Sequence, residues 1–309
     1  MKITKPLQRV LSQIEEQHSE LHNLCAQQLI DRQLESQKNI PEHALAFVNQ
    51  IRHGLYAKCS DDQWTLFTFS NFISFIHVNS VAAYRRIKYD LPIEYAMLVA
   101  LSARAEWMAA KVNWKYTRDE LWRPILLAAC VHDRTAVERL LAHWEARQGK
   151  PSNRAYEAIC LGVEALLKRD TGLLKTAVEE SAKRKTASYV KGINMVLAGI
   201  DAANPELTAQ GFDQMLKRFR GYMFDDQACA LIDPFAHGLF ELAKSYSPKC
   251  LESFDTRRRL PWDAEFSEWI LSVDDISGEL SKLRLPDFLR EALIDMENMD
   301  WAPDNRPKD

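Results

Sequence analysis

The sequence RDELWRPILLAACVHDRTAVERLLAHWEARQGKPSNRAYEAICLGVEALLKRDTGLLKTAVEESAKRKTASYVKGINMVLAGIDAANPELTAQGFDQMLKRFRGY occupies residues 118–222. Its apolar residues recur every three or four positions in six successive runs, which are 121–129, 137–144, 156–167, 173–178, 189–200 and 207–219. A period of 3.6 residues places these groups on one face of an α-helix, whereas a strand requires a period of two. The stretch therefore predicts six amphipathic helices.

Residues that can cap helices separate several of these runs. Asp133 and Asp170 can accept hydrogen bonds from the free N–H groups of a new helix, and Asn204 is followed by Pro205, which suits a first helical turn. These turn residues are 37 and 34 positions apart (133 to 170 to 204). That spacing is typical of helix–turn–helix units such as the tetratricopeptide repeat, although Ala158 and Thr186 replace the Trp and Pro of that repeat. We predict three helical hairpins packed side by side.

Helical patterns also fill the rest of the chain. One polar helix is predicted from Pro6 to about Gln37, a buried helix from Trp64 to Tyr84, and another helix from Pro92 onward. The predicted fold class is therefore all-α: a multi-helix array of antiparallel helical hairpins, repeat-like in the middle.

Two domain divisions fit this pattern. The first has an N-terminal helical region over 1–115, a helical-hairpin domain over 116–300 and a disordered tail over 301–309. The second is one continuous domain over 6–300.

Composition narrows the classes of function. The net charge is −3 and the pI about 6.3, so no basic excess exists to neutralise phosphates, and we predict no nucleic-acid partner. No apolar run approaches the 18 residues of a membrane span, so no membrane partner is predicted. The six cysteines include no C-x-x-C pair, which favours a reducing cytoplasm.

Two clusters could carry chemistry, and each has a simpler interpretation. His18 and His22 lie one helical turn apart with Cys25 a turn further on, a spacing that could hold Zn²⁺, but a polar helix surface explains it as well. Asp225, Asp226 and Asp233 could do acid–base work or hold Mg²⁺, but helix caps are the better explanation. The chain lacks G-x-G-x-x-G, the Walker lysine loop and G-x-S-x-G. We predict no enzyme, no metal and no cofactor.

A resemblance rests on the C-terminal half. Residues 232–244 read IDPFAHGLFELAK, and Arg259-Leu260-Pro261 follows with acidic and aromatic residues after it. Together with the Asp-punctuated helices upstream, this pattern resembles the immunity protein 49 family of bacterial polymorphic toxin systems, over about one domain's length of chain. The resemblance implies an all-helical cytoplasmic protein that binds and neutralises a cognate toxin and has no catalytic residues. A helical-repeat adaptor and a helical enzyme or metal-binding protein are the alternatives.

The irregular segment 225–263 is the predicted binding surface, because loops on rigid scaffolds often carry recognition. The carboxylates of Asp225, Asp226 and Asp233 can bind the basic groups that a toxin nuclease needs to hold nucleic acid. The indole of Trp262 can act as an aromatic anchor. In the other interpretation the acids cap helices and the indole packs inside. The predicted partner-binding residues are Asp225, Asp226, Asp233, Arg257, Arg258 and Trp262.

Overall fold

A computed structural model describes residues 5–18, 24–38, 75–112, 118–146, 153–222, 229–257 and 260–296. Within these residues every regular element is helical, with fourteen α-helices and three short 3₁₀ turns, and no strand occurs. The predicted all-α fold is confirmed.

The helix bounds follow chain order. They are α1 Lys5–His18, α2 Ala26–Lys38, α3 Phe75–Tyr89, α4 Pro92–Val112, α5 Trp122–Cys130, α6 Arg134–Ala146, α7 Arg154–Lys168, α8 Thr171–Ala182, α9 Ser188–Asp201, α10 Pro205–Tyr222, α11 Pro234–Tyr246, α12 Ala264–Ile270, α13 Ser277–Leu280 and α14 Asp287–Leu293. The 3₁₀ turns are Arg118–Glu120, Cys229–Leu231 and Pro248–Leu251.

Consecutive helices pack as hairpins. The pairs are α3 with α4, α5 with α6, α7 with α8, and α9 with α10, and α11 packs across α5. The six helices α5 to α10 match the six apolar runs of residues 118–222. Their apolar faces join a core that, over the described residues, extends from Leu11 to Met296.

Three hairpins turn through the same two-residue unit, at 132–133, 169–170 and 203–204. The first residue of each unit has a left-handed backbone, with φ of 55°, 56° and 49° respectively. The backbone N–H of the second residue donates to the carbonyl five positions earlier at 2.8–2.9 Å. The side-chain oxygen of that second residue accepts from the N–H three positions later at 2.9–3.0 Å. The predicted caps Asp133, Asp170 and Asn204 are thus confirmed.

Two helix crossings bring backbones into direct contact. A Cβ added to Gly211 in α10 would lie 2.6 Å from the backbone nitrogen of Val196 in α9. A Cβ added to Gly238 in α11 would lie 1.9 Å from the carbonyl oxygen of Leu126 in α5. Only a residue without a side chain fits at such distances, so these glycines set how closely the helices approach.

The prediction of one helix from Pro6 to Gln37 is wrong. Leu24 and Cys25 are non-helical, and α2 begins after them. The side-chain oxygen of Gln28 accepts from the Cys25 N–H at 2.9 Å, which is half of a capping box and fixes a new helix start. The predicted helix at Trp64–Tyr84 is found in its second part, within α3, while residues 64–74 and the tail from 301 lie outside the described residues.

Candidate functional site

A pocket of about 340 Å³ lies between α5, α6, α7 and α11. One wall is apolar and is formed by Val137, Leu167 and Leu242. The polar side holds His132 and Glu241, with further polar groups from Asp133, Arg134, Glu138 and Ser245. Pockets that combine an apolar wall with a few converging polar groups are typical of ligand sites.

His132 reaches this pocket from the turn between α5 and α6. Its N–H donates to the Ala129 carbonyl at 3.3 Å, and the N–H of Asp133 donates to the Ala128 carbonyl at 2.9 Å. This is a Schellman motif, whose left-handed position is usually occupied by glycine. The motif ends α5 and places the imidazole toward α11.

The hydrogen bonds of His132 determine which nitrogen carries its proton. Nδ1 lies 2.8 Å from the Val273 carbonyl oxygen, which can only accept, so Nδ1 carries hydrogen and donates. Nε2 lies 3.4 Å from Oε2 of Glu241. The carboxylate of Glu241 raises the pKa of His132, and the Val273 carbonyl adds to this, against the opposing effect of burial. When His132 is protonated on both nitrogens, the second proton is therefore on Nε2 and points toward the Glu241 carboxylate.

Asp133 ties the pocket to a buried ion pair. Arg104 Nε and Nη2 donate to the two carboxylate oxygens of Asp133 at 2.7 and 2.8 Å, and both side chains are fully buried. Arg104 Nη1 donates to the carbonyls of Leu293 and Ile294 at 2.9 and 2.6 Å, and Nη2 also donates to Ser277 Oγ at 2.9 Å. All five donors of the guanidinium are used, so α4, α6, α13 and the end of α14 are fixed to one another.

Asp233, one of the predicted binding residues, is fully buried. Its carboxylate accepts from the Ala236 N–H at 3.0 Å and so caps α11, and the Tyr189 hydroxyl donates to both of its oxygens at 2.9 and 3.0 Å. Burial raises the pKa of Asp233 to about 7. This acid is a core helix cap and is not presented to a partner.

Trp262 is also a core residue, with 1% of its surface exposed. Its Nε1 donates to the Thr256 carbonyl at 2.9 Å, and its ring stacks on His237 with centroids 4.0 Å apart. The His237 Nε2 accepts from the Asp263 N–H at 3.1 Å, and burial lowers the pKa of His237 to about 3, so this imidazole is neutral. The indole is not available as an interfacial anchor in this fold.

The other predicted binding residues are not brought together in the described part of the chain. Arg257 is exposed, and its N–H donates to Asp255 at 3.0 Å. Asp225, Asp226 and Arg258 lie outside the described residues, and their contact with a partner stays a prediction.

The histidine pair considered for zinc is not described at the side-chain level, because His18 has only a backbone assignment and His22 lies outside the described residues. Among the side chains that the structure does describe, no group of three or more His, Cys, Asp or Glu is placed to hold a metal ion. Within the same part of the chain, no helix is long and apolar enough to cross a lipid bilayer.

Comparison of the chain with models of protein families, with curated proteins and with solved structures finds no match.

Sequence reasoning missed both His132 and Glu241. The histidine directly precedes the predicted cap Asp133, and a polar residue beside a cap is an ordinary feature of a turn. The glutamate is 109 positions away on α11. Only the packing of α11 across α5 brings the two together.

Proposed function

We propose that this protein is an immunity protein that binds a cognate bacterial toxin in the cytoplasm and neutralises it by covering the toxin's active site. The observation that carries the proposal is an exposed acidic segment at residues 264–281. The resemblance of the C-terminal half to the immunity protein 49 family supports the same function.

The acidic segment comprises α12, α13, the loop between them and Ser281. It contains five acidic residues and no Lys, Arg or His. The side chain of Glu265 is 53% exposed, Glu268 is exposed, and Asp274 is fully exposed. Leu271 lies among them with 55% of its surface exposed. Arg86, Arg134 and Lys282 lie within 4 Å of Glu265, Asp274 and Glu279 respectively and compensate part of this charge. An apolar contact beside the remaining acids suits a basic protein, such as a nuclease that must hold nucleic acid.

Buried contacts hold the scaffold below this segment. Asp263, which caps α12, forms an ion pair with Arg86 of α3, with Nε and Oδ2 2.8 Å apart, and Nη2 of Arg86 donates to Oδ1 of Asp263 at 3.3 Å. Both side chains are almost fully buried. The stacked pair of His237 and Trp262 lies directly before this cap. A surface fixed in this way loses little conformational entropy on binding, which favours tight inhibition.

The first test concerns the neighbouring gene, because an immunity gene is expected directly beside the gene for its toxin. The protein encoded there should arrest growth when produced alone and should be harmless when produced together with this chain. Purified, the two should form a complex that lacks the toxin's activity. A neighbouring protein that is harmless, or toxic but not relieved by this chain, contradicts the proposal.

The second test locates the binding surface by charge reversal. Glu268→Lys with Asp274→Lys should slow association with the toxin at least about tenfold, because charge steering changes on-rates by 10–1,000-fold. The loss should shrink at high salt. Glu179→Lys with Glu252→Lys is the matched control, since both residues are exposed and the change in net charge is the same. Equal effects of the two double variants would contradict a specific role of the acidic segment.

The predicted acids at 225 and 226 need a separate measurement. Asp225→Lys with Asp226→Lys should keep the fold, as judged by circular dichroism, but slow association in a salt-dependent way. A folded double variant that still binds and protects cells like the parent would remove residues 225 and 226 from the binding surface.

A helical-repeat adaptor is the second candidate, favoured by the three identical hairpin turns. Repeated hairpins often present a concave surface to extended peptides. Such an adaptor would bind several unrelated partners, whereas an immunity protein should bind one toxin tightly. Measured affinities for the neighbouring gene's product and for unrelated basic proteins would distinguish the two functions.

A further inference from the structure

The pocket between α5, α6, α7 and α11 contains two hydrogen-bond acceptors that face each other. Because Nδ1 of His132 donates to the Val273 carbonyl, the neutral imidazole has a lone pair at Nε2. That lone pair lies 3.4 Å from the Glu241 carboxylate, which is also an acceptor. Two acceptors at this distance are stable together only if a proton or another positively charged donor lies between them.

The charged groups around the pair balance one another, so the preference for a cation rests on the two facing acceptors themselves. Glu138 and Glu241 both line the pocket. The charge of Asp133 is compensated by Arg104 below it. Arg134 also lines the pocket, and its side chain is 68% exposed and lies 3.5 Å from the exposed Asp274. A further cation, Lys244 on α11, lies 4.0 Å from Glu241 and is 38% exposed.

The apolar wall adds a constraint on the shape of the ligand. Val137, Leu167 and Leu242 offer contact to methylene groups beside the acceptor pair. A volume of about 340 Å³ is near the lower limit for ligand pockets, so it suits a group the size of one side chain.

We propose that this pocket binds the charged end of a slender aliphatic chain, an alkylguanidinium or alkylammonium group, which donates hydrogen bonds to Nε2 of His132 and to the carboxylate of Glu241. The pocket's chemistry stands without the proposed function. The cation can come from two sources. One is an arginine or lysine side chain of the toxin, and this source rests on the proposed function. The other is a free small amine or guanidine.

The ligand and the second proton of His132 compete for the same position. Binding should therefore strengthen as the pH rises and the imidazole loses that proton, as long as Glu241 stays ionised. The groups that set this dependence are Glu241 and Lys244 on α11, with Arg134 and Glu138 on α6. An anionic ligand would show the opposite pH dependence.

The probe is n-butylguanidinium, titrated into the full-length protein while the imidazole signal of His132 is followed by NMR. n-Butanol and n-butyrate, which have the same stem but no positive charge, are the control ligands. We expect saturable binding of the cation alone, and binding at pH 8 at least about threefold tighter than at pH 6. Absence of saturable binding by the cation, or equal binding of butyrate, would overturn the proposal.

Two pairs of variants test the residues. Glu241→Gln removes the carboxylate charge, and His132→Asn removes the Nε2 acceptor while asparagine tolerates the left-handed backbone. Each should weaken binding of n-butylguanidinium at least about tenfold. Glu179→Gln on the α8 surface and Ala203→Asn, in the same turn conformation at the start of α10, are the matched controls and should leave binding unchanged. Unchanged binding in both site variants would refute the assignment.

A capped arginine, N-acetyl-arginine-N-methylamide, separates the two sources of the cation. If it binds as well as n-butylguanidinium, the pocket accepts a protein side chain. If it is excluded while n-butylguanidinium binds, the pocket takes a free small cation, and the proposed toxin binding must then rely on other surfaces.

Discussion

Replacement of Arg104 by methionine should destabilise the protein severely. Arg104 is fully buried and donates five hydrogen bonds, of which two hold the equally buried carboxylate of Asp133. Methionine keeps much of the volume but leaves that carboxylate without a counter-ion. Breaking a buried ion pair in this way costs about 3–5 kcal/mol of unfolding free energy. A typical domain has only about 5–15 kcal/mol in total, so a large fraction of the stability should be lost.

Urea unfolding followed by circular dichroism at 222 nm measures the effect. Asp133→Asn should cost a similar amount, because asparagine can still cap α6 but leaves the Arg104 charge unpaired. The double variant should be more stable than the sum of the single losses predicts, since it removes both charges; coupling of about 2 kcal/mol is expected. Arg134 follows Asp133 directly in the chain but forms only an exposed ion pair with Asp274. Arg134→Met is therefore the control and should leave the free energy of unfolding unchanged within error.

Two outcomes of the double-mutant cycle would contradict a strong, buried ion pair. A loss below about 1 kcal/mol for Arg104→Met would mean that water or rearranged side chains compensate the buried carboxylate. Strict additivity of the two single variants would mean that Arg104 and Asp133 are not energetically coupled.

Two further predictions concern other parts of the core. Gly238→Ala should destabilise the protein by several kcal/mol or prevent folding, because the added Cβ would overlap the Leu126 carbonyl. Gly221→Ala in α10 has open space around it and should be neutral or slightly stabilising. Thermal melts of both variants test this. Asp233 has a pKa near 7 when folded and an ordinary value of 3.8, so the folded state binds the proton more tightly and stability should fall as the pH rises from about 4 to about 7. Asp233→Asn, which can still accept from Tyr189 and cap α11, should remove that part of the pH dependence in urea unfolding between pH 4 and 8.

The helices and their caps could be predicted from the sequence because both depend on neighbours in the chain. The oxygens of Asp133, Asp170 and Asn204 accept from N–H groups only three positions away. The left-handed residues before these caps were not predictable, since none of them is glycine and the backbone is imposed by the close return of the next helix.

The site could not be predicted because it depends on contacts between distant residues. The sequence around Asp233 and Trp262 is the same whether these residues cap a helix and pack in the core or contact a partner. Only their burial in the folded protein distinguishes the two roles. His132 and Glu241 are joined only by the crossing of two helices, and a local pattern contains no information on such a pair.

The buried guanidinium of Arg104 also bears on how the chain is made in the cell. Its last acceptor, the carbonyl of Ile294, is 190 residues further along the chain. At about 5–20 residues per second, a ribosome needs about 10–40 s to add those residues after Arg104. Asp133 is made only 29 residues after Arg104, but through the rest of that interval the guanidinium lacks its two backbone acceptors at Leu293 and Ile294. The hairpins from α5 to α10 can form during synthesis, but closure of this part of the core must wait until α14 has left the exit tunnel.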